Sequence, residues 1–136
     1  MPARFLLDTN ICIYIVRHKP AEVRSRFERL EAGDAVLSVI TFGELQFGIA
    51  KSRRAAEASR TLSELVAFLP VLPLPIEAAT EYGRLRATVE ARGTPVGNND
   101  LWIAAHAKSA GLTLVSNNVR EFRRLPGLKL ENWVKA

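Results

Sequence analysis

The feature that most constrains this fold is a regular alternation of short apolar runs with longer segments of helical spacing. The run RFLLD at residues 4–8 is followed by TNICIYIVR at 9–17, where apolar residues recur at helical steps. Helical spacing returns at 21–30 and precedes the β-branched run AVLSVI at 35–40. Strands that alternate with helices of about ten or more residues become parallel through right-handed crossovers. The sequence therefore predicts an α/β fold: a three-layer α/β/α sandwich with a mainly parallel, twisted sheet.

The rest of the chain continues this alternation without an internal repeat, linker or low-complexity segment. The further predicted elements begin with a helix after Thr41, a helix over 55–68 and a short buried strand at VLPLP (71–75). A helix over 76–92 follows, with apolar residues at Ile76, Ala79, Tyr82, Leu85 and Val89. The last predicted elements are an alanine-rich helix that GNND (97–100) begins and Gly111 ends, the strand LTLVS (112–116), a short helix near Arg120 and the strand LKLEN (128–132). We expect one domain over residues 1–136.

Composition narrows the classes of protein that remain. A chain of 136 residues with 48% hydrophobic residues can build a core of its own. No apolar run approaches the roughly 18 residues of a membrane span, and the start lacks the order of a signal peptide, so we expect no membrane contact and a cytoplasmic protein. The single Cys12 cannot form an internal disulfide and is expected to be a small buried hydrophobe.

The formal charge of +5 favours contact with a polyanion such as nucleic acid. An excess of basic residues is equally consistent with a merely solvated surface. Charge alone therefore leaves both interpretations open.

Three acidic side chains are placed where strands end or a helix begins. Asp8 follows the first predicted strand, Glu44 lies about one helical turn after the second, and Asp100 follows GNN at a helix start. The carboxyl ends of parallel strands form the ligand crevice of such folds, so we expect the three to converge. Each has a simpler alternative: Asp8 as a turn or helix cap, Thr41 with Glu44 as a capping box, and Asp100 as a helix-dipole partner.

Convergence of these carboxylates would require a cation. Two carboxylates about 5 Å apart repel by roughly 3 kcal/mol at an effective dielectric of about 20. Oxygen ligands without His or Cys favour Mg²⁺ or Mn²⁺ over Zn²⁺. Such an ion can activate water and neutralise a breaking phosphodiester, which supports hydrolysis without a protein nucleophile.

Four segments, in this order along the chain, resemble segments of the VapC toxins of bacterial type II toxin–antitoxin systems. The resemblance covers nearly the whole chain. The four segments are LLDTN at 6–10, SVITFGELQFGIAKS at 38–52, VGNNDLWIAAHA at 96–107 and LVSNNVREF at 114–122. The resemblance implies that residues 1–136 form one PIN domain. Its acidic, metal-binding pocket carries over to Asp8, Glu44 and Asp100.

A fourth pocket position is implied at Asn118. Many members of the family have Asp there, preceded by a hydroxyl residue at the place of Ser116. Asn118 can orient a metal-bound water through its amide oxygen but adds no charge. Glu121 lies one short turn further and is an alternative, although we expect it to face solvent or pair with an Arg. Thr9 is expected to support Asp8, with Asn10 beside it.

The resemblance further implies a Mg²⁺-dependent endoribonuclease toxin, with Mn²⁺ able to substitute. The implied substrate is RNA, with tRNA as the class and the anticodon loop of initiator tRNA as a specific guess. The implied partners are a cognate VapB-like antitoxin and a second copy of the chain. Phe42, Leu45, Phe47 and Ile49 are either core residues or the surface for these partners.

Other side chains are weighed as follows. His106 lies six residues after Asp100, roughly 240° around a helix, and is expected to face away from the pocket. His18 is expected to be solvated, Trp133 to anchor the last strand, and Trp102 to lie near the cleft or at a subunit contact. The arginines expected to grip phosphates at the pocket mouth are Arg84, Arg86, Arg92, Arg120, Arg123 and Arg124.

Two other functions remain as alternatives. A noncatalytic module could use the same acids to hold a structural ion and bind RNA without cutting it. A phosphotransferase that forms an aspartyl-phosphate at Asp8 needs a second acid two residues later, where this chain has Asn10. The sequence therefore favours the nuclease, and the binding module is the alternative that it excludes least.

Overall fold

A five-stranded parallel sheet lies at the centre of the computed structural model, which describes residues 2–134. The strands are β1 (Phe5–Leu7), β2 (Ala35–Ser38), β3 (Val71–Leu72), β4 (Thr113–Val115) and β5 (Leu130–Glu131). Their order across the sheet is β3-β2-β1-β4-β5, and every neighbouring pair is parallel. The predicted α/β fold with a parallel sheet is confirmed.

Seven helices connect these strands within the described residues. They are α1 (Thr9–Arg17), α2 (Ala21–Glu28), α3 (Val39–Ala50), α4 (Ala55–Phe68), α5 (Glu77–Ala91), α6 (Asn98–Ala110) and α7 (Val119–Phe122). No helix in residues 2–134 has the length and apolarity that a membrane crossing needs.

The strands are apolar on both sides because helices cover both faces of the sheet. Leu6 points into a cluster with residues of α5, α6 and α7, whereas its neighbours Phe5 and Leu7 point into a cluster with α1, α2 and α4. This follows from the alternation of side chains along a strand. The second cluster also contains Cys12, which is fully buried as predicted. The result is three layers.

The second predicted strand was placed two residues too long. β2 ends at Ser38, whose hydroxyl accepts a hydrogen bond from the Ile40 N–H at 3.1 Å and caps α3. Thr41 therefore lies inside the helix and is fully buried, so the alternative of a capping box formed by Thr41 and Glu44 is wrong. The β-branched run 35–40 concealed this boundary, since a serine cap overrides the local strand propensity.

The region around β3 differs in two further ways from the prediction. The strand has only two residues, is half-buried and lies at the sheet edge, as expected where prolines cannot donate ladder hydrogen bonds. Ile76 was predicted as an apolar helix position but precedes α5 and is 88% exposed. Ala78 is buried in its place.

The chain reverses direction across the sheet next to β1. β2 and β3 lie on one side of β1, whereas β4 and β5 lie on the other. The crevice at the carboxyl ends of β1 and β4 is therefore a topological switch point, the usual ligand site of an open parallel sheet. Asp8 and Ser116 are the first residues after these two strands, and the Asp8 N–H donates to the Val115 carbonyl at 3.0 Å.

Candidate acidic metal site

Asp8 is a buried carboxylate at the centre of the crevice, with 5% of its surface exposed. It is the N-cap of α1, and its Oδ1 accepts a hydrogen bond from the Ile11 N–H at 2.9 Å, so the capping interpretation is correct as geometry. Burial raises the pKa of Asp8, hydrogen bonds from Ser116 and Ile11 oppose this, and the charge of Glu44 raises it further. The pKa of Asp8 is therefore above its ordinary value, which means that these hydrogen bonds do not fully stabilise its negative charge.

Glu44 reaches this crevice from α3 and is half-buried. Its Oε1 accepts a hydrogen bond from the Thr9 hydroxyl at the start of α1. Thr9 was expected to support Asp8, but it orients Glu44 instead. The reason is that Asp8 caps the helix with its own side chain, which leaves the next hydroxyl free to point towards α3.

Asp100 stands in the first turn of α6 and has the most perturbed carboxyl group of the pocket. Burial, and after it the charges of Glu121, Asp8 and Glu44, together raise its pKa to about 6. The charge of one carboxylate raises the pKa of another in this way only when the two lie close together. The structure thus brings together Asp8, Glu44 and Asp100, together with Glu121.

Glu121 lies in α7 and was expected to face solvent or to pair with a nearby Arg; it is half-buried, turned towards the start of α6 and close enough to Arg124 to feel its charge. Its Oε1 accepts from the Gly97 N–H at 2.9 Å, and its Oε2 accepts from Nδ2 of Asn118 at 2.9 Å. Burial acts against its charge, but the hydrogen bonds from Asn118 and Gly97 and the charge of Arg124 outweigh it, so the pKa of Glu121 is lowered. Glu121 is therefore ionised beside Asp100.

Sequence reasoning underrated Glu121 because it weighed the position of Asn118 more heavily. A signal was present: the two residues are three apart, and such a pair lies on one side of a short helix. The amide of Asn118 donates to Glu121, and its backbone N–H donates to the Ser116 hydroxyl at 2.9 Å. Asn118 therefore links the end of β4 to the acidic pocket and orients its fourth carboxylate.

The donor set of the pocket fits a hard divalent cation. Within residues 2–134, no three His, Cys, Asp or Glu side chains already surround one ion position. Several of the carboxylate oxygens are occupied by the hydrogen bonds described above. Mg²⁺ usually binds one or two carboxylates directly and keeps several waters, through which further carboxylates of the pocket can hold it.

Gly97 keeps the pocket open between two of the acids. A Cβ atom at Gly97 would lie 3.7 Å from Glu121 Oε1 and 3.8 Å from Asp100 Oδ2. Both oxygens therefore border the same small space, which no side chain of Gly97 fills. Together with the raised pKa of Asp100, this geometry indicates negative charge that a cation would neutralise.

The histidines and Trp133 lie outside the pocket. His106 is buried in α6 with 1% exposure, and burial lowers its pKa, so it is a neutral packing residue. His18 is exposed at the end of α1. Trp133 is buried and packs edge-on against Phe5 with ring centroids 5.6 Å apart, as expected of an anchor for the last strand.

The arginines proposed for phosphate contact divide into two groups. Arg84 pairs with Glu81, Arg86 with Glu90, and Arg124 donates to the Pro95 carbonyl. The members of the other group are exposed at the surface: Arg92, Arg120 and Arg123. The first group has structural partners already, which leaves the second as the freer cations.

The apolar residues of α3 divide between two surfaces. Leu45 and Ile49 line a cavity of about 280 Å³ between α1, α3 and α4, which we call the α1–α4 groove. Phe47 is 65% exposed and lines a different cleft of about 720 Å³, shared with Thr9 and Glu44. Phe42 packs against the core. Of the two alternatives left open by the sequence, core packing therefore applies to Phe42, Leu45 and Ile49, whereas helical spacing sends Phe47 to a different side.

Comparison with known proteins identifies the class first. The family model that matches the chain is the PIN domain, over residues 5–128. The tRNA(fMet)-specific endonuclease VapC of Shigella flexneri is 43% identical over 130 residues, which is 96% of this chain and 98% of that protein. Ribonuclease VapC2 of Haemophilus influenzae is 40% identical over 131 residues, with 96% and 98% covered.

Solved structures agree with these sequence matches. DNA-bound VapBC from Salmonella typhimurium superposes with a TM-score of 0.90 at 39% identity, covering 97% of this chain and 99% of that one. VapBC2 from Rickettsia felis, bound to a DNA fragment from their promoter, gives a TM-score of 0.88 at 37% identity, with 96% and 98% covered. This chain belongs to the PIN-domain family, in its branch of VapC toxin ribonucleases. Nucleases of this family are typically metal-dependent.

Proposed function

We propose that this VapC-family protein is an endoribonuclease that hydrolyses RNA phosphodiester bonds with Mg²⁺ held by Asp8, Glu44 and Asp100, and that Mn²⁺ can substitute. One observation carries the proposal. The pKa of Asp100 rises to about 6 through burial and through the charges of Glu121, Asp8 and Glu44. Four acids that repel each other at the switch point of the sheet are costly unless a cation joins them.

When bound, the divalent ion supplies Lewis-acid chemistry, because it lowers the pKa of water and neutralises charge on the phosphate. The chain supplies orientation. Asp8 is fixed by the Ile11 N–H and Ser116, and Glu44 is fixed by the Thr9 hydroxyl. Carboxylates that are already oriented need not reorganise when substrate enters, which favours catalysis.

We assign different roles to Asn118 and Glu121 at the fourth position. Glu121 is the charged member, because its lowered pKa keeps it ionised beside Asp100. Asn118 is a supporting catalytic residue, since its amide donates to Glu121 at 2.9 Å. An acceptor role for the amide oxygen of Asn118 towards water is compatible with this donation, because the two use different atoms.

The proposed substrate is tRNA. The Shigella flexneri relative is named a tRNA(fMet)-specific endonuclease, and 43% identity over 96% of this chain supports the same substrate class here. The anticodon loop of initiator tRNA is our specific candidate. The exposed Arg92, Arg120 and Arg123 are candidate phosphate contacts. The cytoplasm, where tRNA is found, is the proposed compartment, and residues 1–136 act there as one PIN domain.

The test is cleavage of total tRNA by the pure protein. Products are separated on a denaturing gel with Mg²⁺, with Mn²⁺, and with EDTA, and their ends are sequenced. We expect discrete fragments with either metal and none with EDTA. Retention of intact tRNA with both metals would instead support a noncatalytic metal- and RNA-binding module. Cleavage in EDTA would contradict the metal assignment.

The cognate VapB-like antitoxin is the proposed partner of the α1–α4 groove. Relatives have been solved as VapBC complexes, which motivates this assignment. The groove floor is apolar, with Leu45, Ile49 and Leu62, and its rim carries Arg17 and Arg54. An amphipathic segment could bury its apolar face there and offer acidic residues to the rim.

A homodimer is proposed through the second surface of α3. Phe47 at 65% and Val39 at 41% exposure are large apolar residues on one cleft, and a second copy would cover them. The cleft adjoins Glu44, so dimerisation would place another protein surface beside the acidic pocket. Sedimentation velocity is the direct measurement.

A further inference from the structure

The start of α6 carries Asp100, and the N–H of its N-cap residue donates to Glu121 Oε1 of α7 at 2.9 Å. Gly97 is the N-cap residue and has no side chain to offer. A helix whose N-cap residue has no side chain is prone to fray at that end. The position of Asp100 therefore depends on contacts from neighbouring elements.

Tyr82 of α5 contacts α6 at two successive turns. Its hydroxyl donates a hydrogen bond to Oδ1 of Asn98, and its ring stacks on Trp102 with centroids 3.8 Å apart and planes 11° apart. Asn98 and Trp102 are four residues apart and lie on one face of the helix. Asp100, two residues from each, projects from roughly the opposite face. Tyr82 thus supports α6 from the side away from the acidic pocket.

Arg86 sets the direction of the Tyr82 hydroxyl. Its Nη1 donates to the phenolic oxygen at 2.8 Å, and its Nε donates to Glu90 at 2.7 Å. A guanidinium can only donate, so the phenolic oxygen accepts from Arg86 and its one hydrogen is directed to Asn98. The resulting series Glu90, Arg86, Tyr82 and Asn98 connects α5 to the first turn of α6.

We propose that Tyr82, oriented by Arg86 and stacked on Trp102, is a positioning residue that holds Asp100 in place for the divalent metal. It acts through Asn98 and does not touch the metal or the RNA. This inference rests on the proposed metal site and adds a residue from outside it. The loss of a group that hydrogen-bonds a metal ligand directly commonly lowers metal affinity by about tenfold or more, and a contact one residue further out is expected to have a smaller effect of about threefold.

The test uses Tyr82→Phe, which keeps the ring and removes only the hydroxyl. Mn²⁺ affinity is measured by electron paramagnetic resonance titration of the pure protein without RNA. We expect Mn²⁺ to bind about threefold more weakly, and cleavage at saturating Mn²⁺ to return close to the wild-type rate. Tyr14→Phe is the matched control, because Tyr14 is the other tyrosine and packs on the opposite face of the sheet. It should leave Mn²⁺ affinity unchanged.

A double-mutant cycle with Asn98→Ala tests the route of the effect. If Tyr82 acts through Asn98, each single variant weakens Mn²⁺ binding and the double variant weakens it no further. Unchanged Mn²⁺ affinity in Tyr82→Phe would overturn the proposal, and a raised KM for RNA with unchanged affinity would show that Tyr82 contacts substrate instead. A wild-type protein that binds Mn²⁺ but does not cut RNA would contradict the nuclease function and leave the affinity test intact.

Discussion

The hydroxyl of Thr9 donates a hydrogen bond to Oε1 of Glu44, which joins the first turn of α1 to α3 across 35 positions of sequence. The bond fixes one oxygen of a carboxylate that also contributes to the raised pKa values of Asp8 and Asp100. Thr9 thus orients Glu44, which extends into the pocket from the interior of α3.

Removal of the hydrogen bond from Thr9 to Glu44 should weaken metal binding. Thr9→Val keeps the side-chain shape and removes the hydroxyl, so Glu44 loses its fixed orientation, and we expect about a tenfold loss of Mn²⁺ affinity. Thr9→Ser retains the donor and should stay within about threefold of the wild type. Calorimetric titration checks both variants. Loss of Mn²⁺ affinity in Thr9→Ser together with wild-type affinity in Thr9→Val would mean that the methyl group, and not the hydroxyl, is what matters.

The acidic pocket should be required for cleavage and dispensable for folding. Asp8→Asn and Asp100→Asn remove the charges that bind the cation, and we expect each to lower the tRNA cleavage rate by at least about 100-fold. Asp34→Asn is the control, since Asp34 lies away from the pocket in a contact with Arg4 and the Glu31 N–H. Circular dichroism should show folded protein in all three. Activity in Asp100→Asn that resists EDTA would exclude the proposed mechanism.

Without metal, the charge of Asp100 should destabilise the fold. Its folded-state pKa is raised from 3.8 to about 6, so the folded chain binds a proton more tightly than the unfolded chain. Stability from this group is full below the lower value and is lost as pH rises through the higher one. In EDTA at about pH 8, Asp100→Asn should raise Tm by roughly 2–5 °C, the shift expected for about 1 kcal/mol in a domain of this size.

The same comparison below about pH 4 should show almost no difference, because both side chains are then neutral. Saturating Mg²⁺ at about pH 8 should reverse the order, since only the wild type gains full metal-binding energy. Thermal melts followed by circular dichroism measure each case. A constant gain at every pH would point to packing of the amide and not to relief of charge.

The α1–α4 groove should bind the antitoxin without taking part in catalysis. Ile49→Glu places a charge among the apolar residues of the groove, and we expect affinity for the cognate antitoxin to fall by at least about 100-fold. Cleavage of tRNA by the free toxin should remain. Pull-down and calorimetry with the purified antitoxin give the affinity. Full binding by this variant would place the antitoxin elsewhere.

The second surface of α3 should control oligomeric state. Phe47→Glu should convert a dimer to monomers, because a charge replaces the exposed ring at the proposed contact. Ile76→Glu is the matched control, since Ile76 is even more exposed, at 88% against 65%, and lies outside this cleft. Sedimentation velocity distinguishes the two. Dissociation by both variants, or by neither, would reject the assignment of this surface.

Sequence periodicity predicted the elements well where local signals agreed. The helix over 55–68 was placed with its observed bounds, because apolar spacing begins after a basic segment and stops before Pro70. A predicted boundary was wrong where one residue belongs to a strand and also caps the next helix. Ser38 is both the last residue of a buried strand and the cap of α3, and the strand-like residues after it conceal the change.

The acidic residues of the candidate site were easier to predict from the sequence than the groups that form hydrogen bonds with them. Asp8 and Asp100 follow strand and helix boundaries, which the sequence marks directly. The hydrogen bond from Thr9 to Glu44 and the turn of Glu121 towards Gly97 depend on how helices pack, and no local pattern encodes that. Tyr82 shows the same limit, because its role depends on Trp102 twenty residues later.

The central position of β1 in the sheet has a consequence for synthesis of the protein. Asp8 leaves the ribosome long before β4 and α7, which flank it with Ser116 and Glu121. A nascent chain that ends before β4 has three of the five strands and an incomplete pocket. The acidic pocket of this ribonuclease can therefore form only after α7 has been synthesised.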